Sequence, residues 1–253
     1  MGCLRQAGTS VRARDSAMSP KNCNFEAGCR RILRRVFPAK VIAACRRVWS
    51  GLRRRLYSPR RYWTARGKGY AREFPPCGAR NEELIVRVLS GLGASSVLDV
   101  GCGYGRYLKV LRAQLRLERL CGVDISPSQI AHAREYLKDF PDVQLLIAPA
   151  TKLPFPEASF DAIFTYGLMI HLPMRQAEAF LDEAGRVGKR WGVFLETNAN
   201  LNAPHLNPYY FFAHDYDKLF AKHGLRVIQR HVISERLSEY LFVVDLAFPR
   251  AAN

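Results

Sequence analysis

At 253 residues and 48% hydrophobic content the chain can bury one full core with room for an appendage, and no run approaches the roughly 20 apolar residues of a membrane span. The formal charge of +17 is lopsided: residues 1–61 hold 16 Lys and Arg against 2 Asp and Glu, a net of +14, which leaves +3 for residues 62–253. The body therefore lacks the basic surface expected of a nucleic-acid enzyme, and the basicity speaks only about the tail.

Residues 1–29 are polar and aperiodic, as disordered segments are. They contain no apolar core followed by a small-residue cleavage site, so no secretory signal is expected. The seven cysteines (3, 23, 29, 45, 77, 102 and 121) form no C-x-x-C pair. They read as isolated thiols in a reducing, cytoplasmic compartment. Over residues 39–57 a basic amphipathic helix is expected. Val41, Cys45, Val48, Leu52 and Leu56 recur at helical spacing, with Lys40, Arg46, Arg47 and Arg53 to Arg55 around them. Helices of this kind lie on anionic membrane surfaces, here the inner face, and Ser58-Pro59 ends the run.

From residue 62 the composition changes, which sets domain boundaries at 1–61 and 62–253. YWTARGKGYAREF reads as a short helix and loop that covers the site, with Tyr62, Trp63 and Tyr70 as lid aromatics. Asn81 to Leu92 reads as an amphipathic helix. Strands and helices then alternate. Strands are expected at 96–100, 120–125, 143–148, 160–166, 191–197, 225–233 and 239–248, with helices at 106–117, 126–140, 173–187 and 214–223. Ser126-Pro127-Ser128-Gln129 is a capping box with proline in the first turn. The last two strands are joined by too short a link for a crossover and should pair antiparallel. The fold class is α/β: a Rossmann-like doubly wound sheet of about seven strands, mostly parallel, with an antiparallel C-terminal pair and a basic N-terminal helical extension.

VLDVGCGYGRYL (97–108) runs from a strand through three alternating glycines into a helix. Gly101, Gly103 and Gly105 permit a turn at positive φ and close approach of a ligand to bare backbone. The spacing G-x-G-x-G lacks the Lys-Ser/Thr of a phosphate loop. Asp124 stands at the carboxyl end of the second strand, where an acidic side chain accepts from two ribose hydroxyls. Together these features suit a nucleoside without a strong phosphate cradle.

On these residues the chain resembles the class I S-adenosyl-methionine-dependent methyltransferases, most closely their small-molecule branch. VLDVGCGYGRYL looks like the family's first motif, VDIS like its second, and LPFPEASFDAIFTYGLMIHL like its third and fourth; the likeness spans about 80–250. The resemblance implies S-adenosyl-L-methionine as cofactor. It puts Asp99 and Gly101 near the methionyl amino end, with Gly103 and Gly105 completing the turn below. It puts Asp124 on the ribose, Ile125 against the adenine, and Tyr166 and Gly167 beside the sulfonium. Relatives often carry an Asp-Ala pair after the third strand, the Asp meeting the adenine amino group. This chain has Pro149-Ala150, and proline offers neither side-chain acceptor nor N–H. Adenine recognition then rests on the Ala150 backbone, Thr151 or packing.

For the methyl acceptor, the candidate catalytic residues are His171 after the fourth strand, Glu196 at the end of the fifth, and His214 in the loop TNANLNAPHLNPYYFFAHDY, with His205 also in that loop. No tight ligand spacing supports a metal. NPYY (207–210) lacks the second proline, and the position, of the amino-methylating nucleic-acid motif. The reading is O- or N-methylation of a small-molecule, glycan or lipid-linked acceptor, with peripheral contact to anionic membrane through 39–57. The alternatives are an RNA methyltransferase using the tail as an electrostatic arm, and a non-catalytic binding protein on the same fold, for which Pro149 speaks.

Overall fold

The computed structural model describes residues 48–49, 51–73, 79–197, 208–235 and 238–247. The chain divides into two compact units, residues 1–49 and 50–253. Of the expected helix at 39–57, residues 48–49 and 51–55 are helical and the helix ends before Leu56 and Tyr57; residues 39–47 and 50, and His205, lie outside the described residues.

The second unit alternates helix and strand from α1 (Pro59–Glu73) and α2 (Ala79–Gly91) onward. There follow β1 (Ser96–Val100), α3 (Arg106–Gln114), β2 (Arg119–Asp124), α4 (Pro127–Tyr136), β3 (Gln144–Ile147) and β4 (Phe160–Tyr166). A 3-10 turn (Met169–His171) leads to α5 (Met174–Val187), β5 (Gly188–Thr197), α6 (Tyr216–Lys222), β6 (Arg226–Ser234) and β7 (Glu239–Asp245). The helix expected at 106–117 stops at Gln114 because Leu115 turns extended. The expected short helix and loop after residue 62 is instead part of α1, which runs unbroken through Gly67 and Gly69.

The seven strands lie in the order β3-β2-β1-β4-β5-β7-β6. The first five pair in parallel, and β7 inserts antiparallel between β5 and β6. The side-chain period of two sends alternate residues to opposite faces. Leu98, Val100, Ile163 and Phe194 pack under α5 and α6, with Phe180 and Phe220. Val97, Ala162, Phe164, Val193 and Leu195 pack under α2 and α3, with Ile85, Leu89, Leu108 and Leu111. Strand β3 is an edge strand with β2 as partner, so its apolar Leu146 and Ile147 stand exposed.

At the amino ends of β1 and β4, Asp161 ties the sheet together. Its carboxylate accepts from the amides and hydroxyls of Ser95 and Ser96 and from Lys189 Nζ. Partial desolvation works against that charge, yet these bonds hold its pKa well below the usual carboxylate range. At the carboxyl ends β2 and β4 flank β1 with their following helices on opposite faces, and the chain leaves a crevice at this reversal of strand order.

Gly105 closes the turn after β1 with φ 84°, and a Cβ there would stand 2.7 Å from Leu137 Cδ1 on the α4 side. Gly105→Ala is expected to cost about 2–4 kcal/mol, the sum of left-handed strain and overpacking. Gly91→Ala, with open space around its Cβ, should be neutral or slightly stabilising. Urea unfolding of both variants checks the contrast; equal effects would contradict it.

Candidate active site

The glycine turn is built by hydrogen bonds to the end of β2. Gly101 N and Cys102 N both donate to Val123 O, at 2.8 and 3.0 Å. Gly103 N donates to Asp124 Oδ2 at 3.0 Å, and Ser126 N donates to Asp124 Oδ1 at 2.8 Å. One carboxylate thus binds the turn after β1 to the turn after β2. Gly101 and Gly103 have φ of 78° and 55°, conformations that a side chain would strain.

This turn floors a cleft of about 290 Å³. Gly101, Gly103, Asp124 and Ile125 line one end, with Gln129 beside them and Pro149, Ala150 and Thr151 along the wall. Tyr166, Gly167, Leu168 and His171 line the other end, and Trp63 and Tyr70 of α1 form the roof. The roof is fastened to the floor: Ser126 Oγ donates to Trp63 O and Ser128 Oγ to Thr64 O. The fit is close at Gly67, where a Cβ would come within 2.5 Å of Ser128 Oγ. The helical glycine that weakens α1 locally is what lets it lie against α4.

Burial governs the charges. Desolvation raises the Asp124 pKa to about 6, opposed by the amides of Ser126 and Gly103. Asp99 is 2% exposed, and desolvation, with the neighbouring Asp124 charge, pushes its carboxyl far above the usual range. Asp99 and Gly105 do not themselves line the cleft. Asp99 sits just behind the wall in β1, and Gly105 serves helix packing.

At the far end His171 is half-buried and ringed by aromatics. Trp63 lies edge-on at 4.7 Å between ring centroids, Phe211 at 5.2 Å and Tyr210 stacked at 6.0 Å. Nδ1 lies 3.1 Å from Tyr210 O. A carbonyl only accepts, so Nδ1 carries the hydrogen and Nε2 is left bare. Desolvation lowers the His171 pKa to about 4, so the ring is neutral at pH 7.

Glu196 and His214 do not reach the cleft. Glu196 is fully buried on the sheet face that carries Phe194. It accepts from the Thr165 hydroxyl at 2.8 Å and from the amides of Leu168 and Met169 at 3.1 and 3.0 Å. His214 is buried, and its Nε2 lies 2.9 Å from both Met169 O and Leu172 O, shared between two acceptors. Both residues hold the 3-10 turn that presents His171, and the strand-end and loop positions that suggested catalysis reflect this clamp instead. Gln129, Leu168 and Gln176 line the cleft without having stood out in the sequence. For Gln129 the sequence offered a signal, its third place in the α4 capping box.

Residues 97–192 match the family described as "Methyltransferase domain". The 27-O-demethylrifamycin SV methyltransferase of Amycolatopsis mediterranei is 32% identical over 115 residues, 42% of this chain and 42% of that one. The 2-methyl-6-phytyl-1,4-hydroquinone methyltransferase of Synechocystis is 30% identical over 106 residues, 42% of this chain and 32% of that one. The chain spans less than half the length of the curated relatives it matches. In fold it is similar to the crystal structure of a magnesium protoporphyrin IX methyltransferase from Synechocystis with bound SAM. The TM-score is 0.58 at 16% identity, covering 74% of this chain and 94% of that one.

Glu196 makes a pH prediction. Desolvation raises its pKa from 4.5 to about 7, against the hydrogen bonds that favour its charge. Below about 4.5 it is protonated folded or unfolded. As pH rises from about 4.5 to 7 the unfolded chain releases the proton first, so stability falls over that window, by on the order of 3 kcal/mol for this group. Glu196→Gln should lack that fall. His171 acts in the opposite sense between about 6.5 and 4, so the measurement is the wild-type minus variant difference in unfolding free energy across pH 4–8. A difference that stays flat would contradict the assignment.

Proposed function

We propose that the chain, whose residues 97–192 match a methyltransferase domain, is a class I S-adenosyl-methionine-dependent methyltransferase that methylates an oxygen or nitrogen of a small, largely apolar acceptor. One observation carries this reading: a single cleft joins the glycine turn and Asp124 to a neutral histidine in an aromatic ring.

The residues present fit the cofactor. Gly101 and Gly103 leave the cleft floor as bare backbone, and nothing lies within 4 Å of where a Cβ on Gly167 would stand. Asp124 uses each carboxylate oxygen once, which leaves lone pairs for ribose hydroxyls. Ile125, Ala150 and Thr151 offer a flat, mostly apolar wall for the adenine, and Pro149 adds packing without a hydrogen bond. Gly101 stands toward the methionyl amino end, with Asp99 buried behind the wall. Bound there, S-adenosyl-methionine supplies an electrophilic methyl carbon.

His171 receives the acceptor's proton at Nε2, the nitrogen left bare by the Tyr210 carbonyl. A carbonyl behind the ring, where many histidine bases have a carboxylate, leaves it a weak base. Its best acceptors are therefore acidic hydroxyls or groups that need little deprotonation. Trp63 lines the cleft and offers a flat apolar surface to the acceptor, while Tyr210 and Phe211 pack against His171 and hold its ring in place.

A lipid-linked acceptor fits the neighbouring surface. Leu52 and Leu56 are exposed on the segment that runs into α1, with Arg55, Arg60 and Arg61 exposed beside them. Among the described residues no helix is long and apolar enough to cross a membrane, so contact would be peripheral.

Two experiments test the reading. In calorimetry the wild type should bind S-adenosyl-methionine at micromolar affinity and Asp124→Ala should lose it, while His171→Asn keeps cofactor affinity and lowers kcat. Absence of binding by folded wild type would refute the cofactor assignment. In flotation, the full chain should accompany vesicles containing anionic phospholipid at low salt, leave them at high salt, and ignore neutral vesicles. Leu52→Glu with Leu56→Glu should abolish the association; equal flotation with neutral vesicles would count against it.

A further inference from the structure

The capping box that opens α4 is only half made. Ser126 Oγ accepts from Gln129 N at 3.3 Å, as an N-cap serine does. In a complete box the glutamine side chain returns to the N-cap amide. Here the Ser126 amide is already taken by Asp124 Oδ1 at 2.8 Å. The Gln129 carboxamide is thereby released from its usual duty.

It is not released to solvent. Gln129 is 2% exposed, and its Oε1 has no hydrogen-bond partner among the described residues. Buried polar atoms of this kind are rare and costly. The side chain is held from above, since a Cβ on Gly67 would lie 3.2 Å from Gln129 Cγ. It lines the cleft with Gly103 and Asp124. Its Nε2 stands 3.8 Å from where a Cβ on Gly103 would be, and Gly103 N is itself bound to Asp124 Oδ2. An unsatisfied carboxamide thus sits beside an accepting carboxylate across one glycine.

We propose that Gln129 is a ligand-reading residue that, together with Asp124, grips the ribose diol of the bound cofactor. The inference rests on the reading that the cleft takes S-adenosyl-methionine. A carboxylate can only accept, whereas a carboxamide donates and accepts. A hydroxyl also does both, so a vicinal diol satisfies the pair: a hydroxyl that donates to Asp124 accepts from the Gln129 amide, and its neighbour donates to Oε1. A phosphate would be repelled by Asp124, and an apolar group would leave Gln129 Oε1 unpaired. The sugar is therefore the part of the ligand that this pair recognises.

The test uses the full chain, S-adenosyl-homocysteine as probe, and its 2′-deoxy and 3′-deoxy analogues, titrated by calorimetry. Gln129→Met should leave the melting temperature of the free protein unchanged or raised, since it removes an unsatisfied buried atom. It should weaken S-adenosyl-homocysteine about tenfold, the worth of one hydrogen bond. One deoxy analogue should cost the wild type about tenfold and cost the variant little. Gln129→Leu gives the same readout where methionine packs poorly. Lost packing would weaken all three ligands alike, so equal analogue discrimination in wild type and variant overturns the proposal, as does unchanged affinity of the variant. A wild type that binds the parent probe but ignores both missing hydroxyls overturns the diol grip and leaves the cofactor reading standing. A wild type that binds no probe overturns both.

Discussion

The site depends on one carboxylate. Asp124 accepts from the Gly103 amide with one oxygen and the Ser126 amide with the other, so the turns after β1 and β2 cannot move apart without losing a charge-assisted bond. The positive φ of Gly101, Gly103 and Gly105 makes this geometry possible, and the bonds to Val123 O and Asp124 hold it in place. The acid proposed to meet the ribose is thus also part of the scaffold that shapes the cleft floor. Its burial raises its pKa toward neutrality, and the two amides limit that rise.

A second clamp stands at the other end of the cleft, and the roof connects the two. Glu196 holds the amides of the turn at Leu168 and Met169, and His214 holds the carbonyls of Met169 and Leu172. His171 projects from that turn against Trp63 of α1. Trp63 in turn gives its carbonyl to Ser126, the residue after Ile125 at the end of β2. The His171 end and the Asp124 end of the cleft thus share α1 as a common wall. A shift of α1, which lies close on Ser128 at Gly67 and meets His171 through Trp63, would therefore alter both ends.

What the sequence disclosed followed from periodicity. The alternation of short apolar strands with capped helices, the antiparallel final pair and the glycine turn were legible because each is a local pattern. The length of α1 was not, because two glycines in an aromatic and basic stretch read as a break, and only the opposing Ser128 gives Gly67 its reason. The roles of Glu196 and His214 were not, because a polar residue at a strand end looks the same whether it faces the cleft or the interior. The alternation in WGVFLET puts Glu196 on the side of Phe194, but which side carries the ligand is decided by long-range packing. Gln129 was hidden for the opposite reason: its local motif has a sufficient explanation in the capping box, and only the fold shows that Asp124 occupies the Ser126 amide in its place.

The two ends of the sheet divide stability from function. At the amino ends Asp161 is met by two hydroxyls, two amides and a lysine, and its acidity is strengthened. That arrangement favours the folded state over most of the pH range. At the carboxyl ends Asp99, Asp124 and Glu196 are buried with too few partners to offset desolvation, His171 is kept neutral, and the Gln129 carbonyl is unmatched. The buried carboxylates and the unmatched carbonyl weaken the free protein at neutral pH, whereas the neutral His171 costs stability only below about pH 6.5. Because the crevice must stay open at the reversal of strand order, its polar groups cannot satisfy one another without filling it. Of these groups Asp124, His171 and Gln129 line the cleft, and on the proposed reading a ligand with a diol and an acceptor with a hydroxyl would bring the partners that they lack.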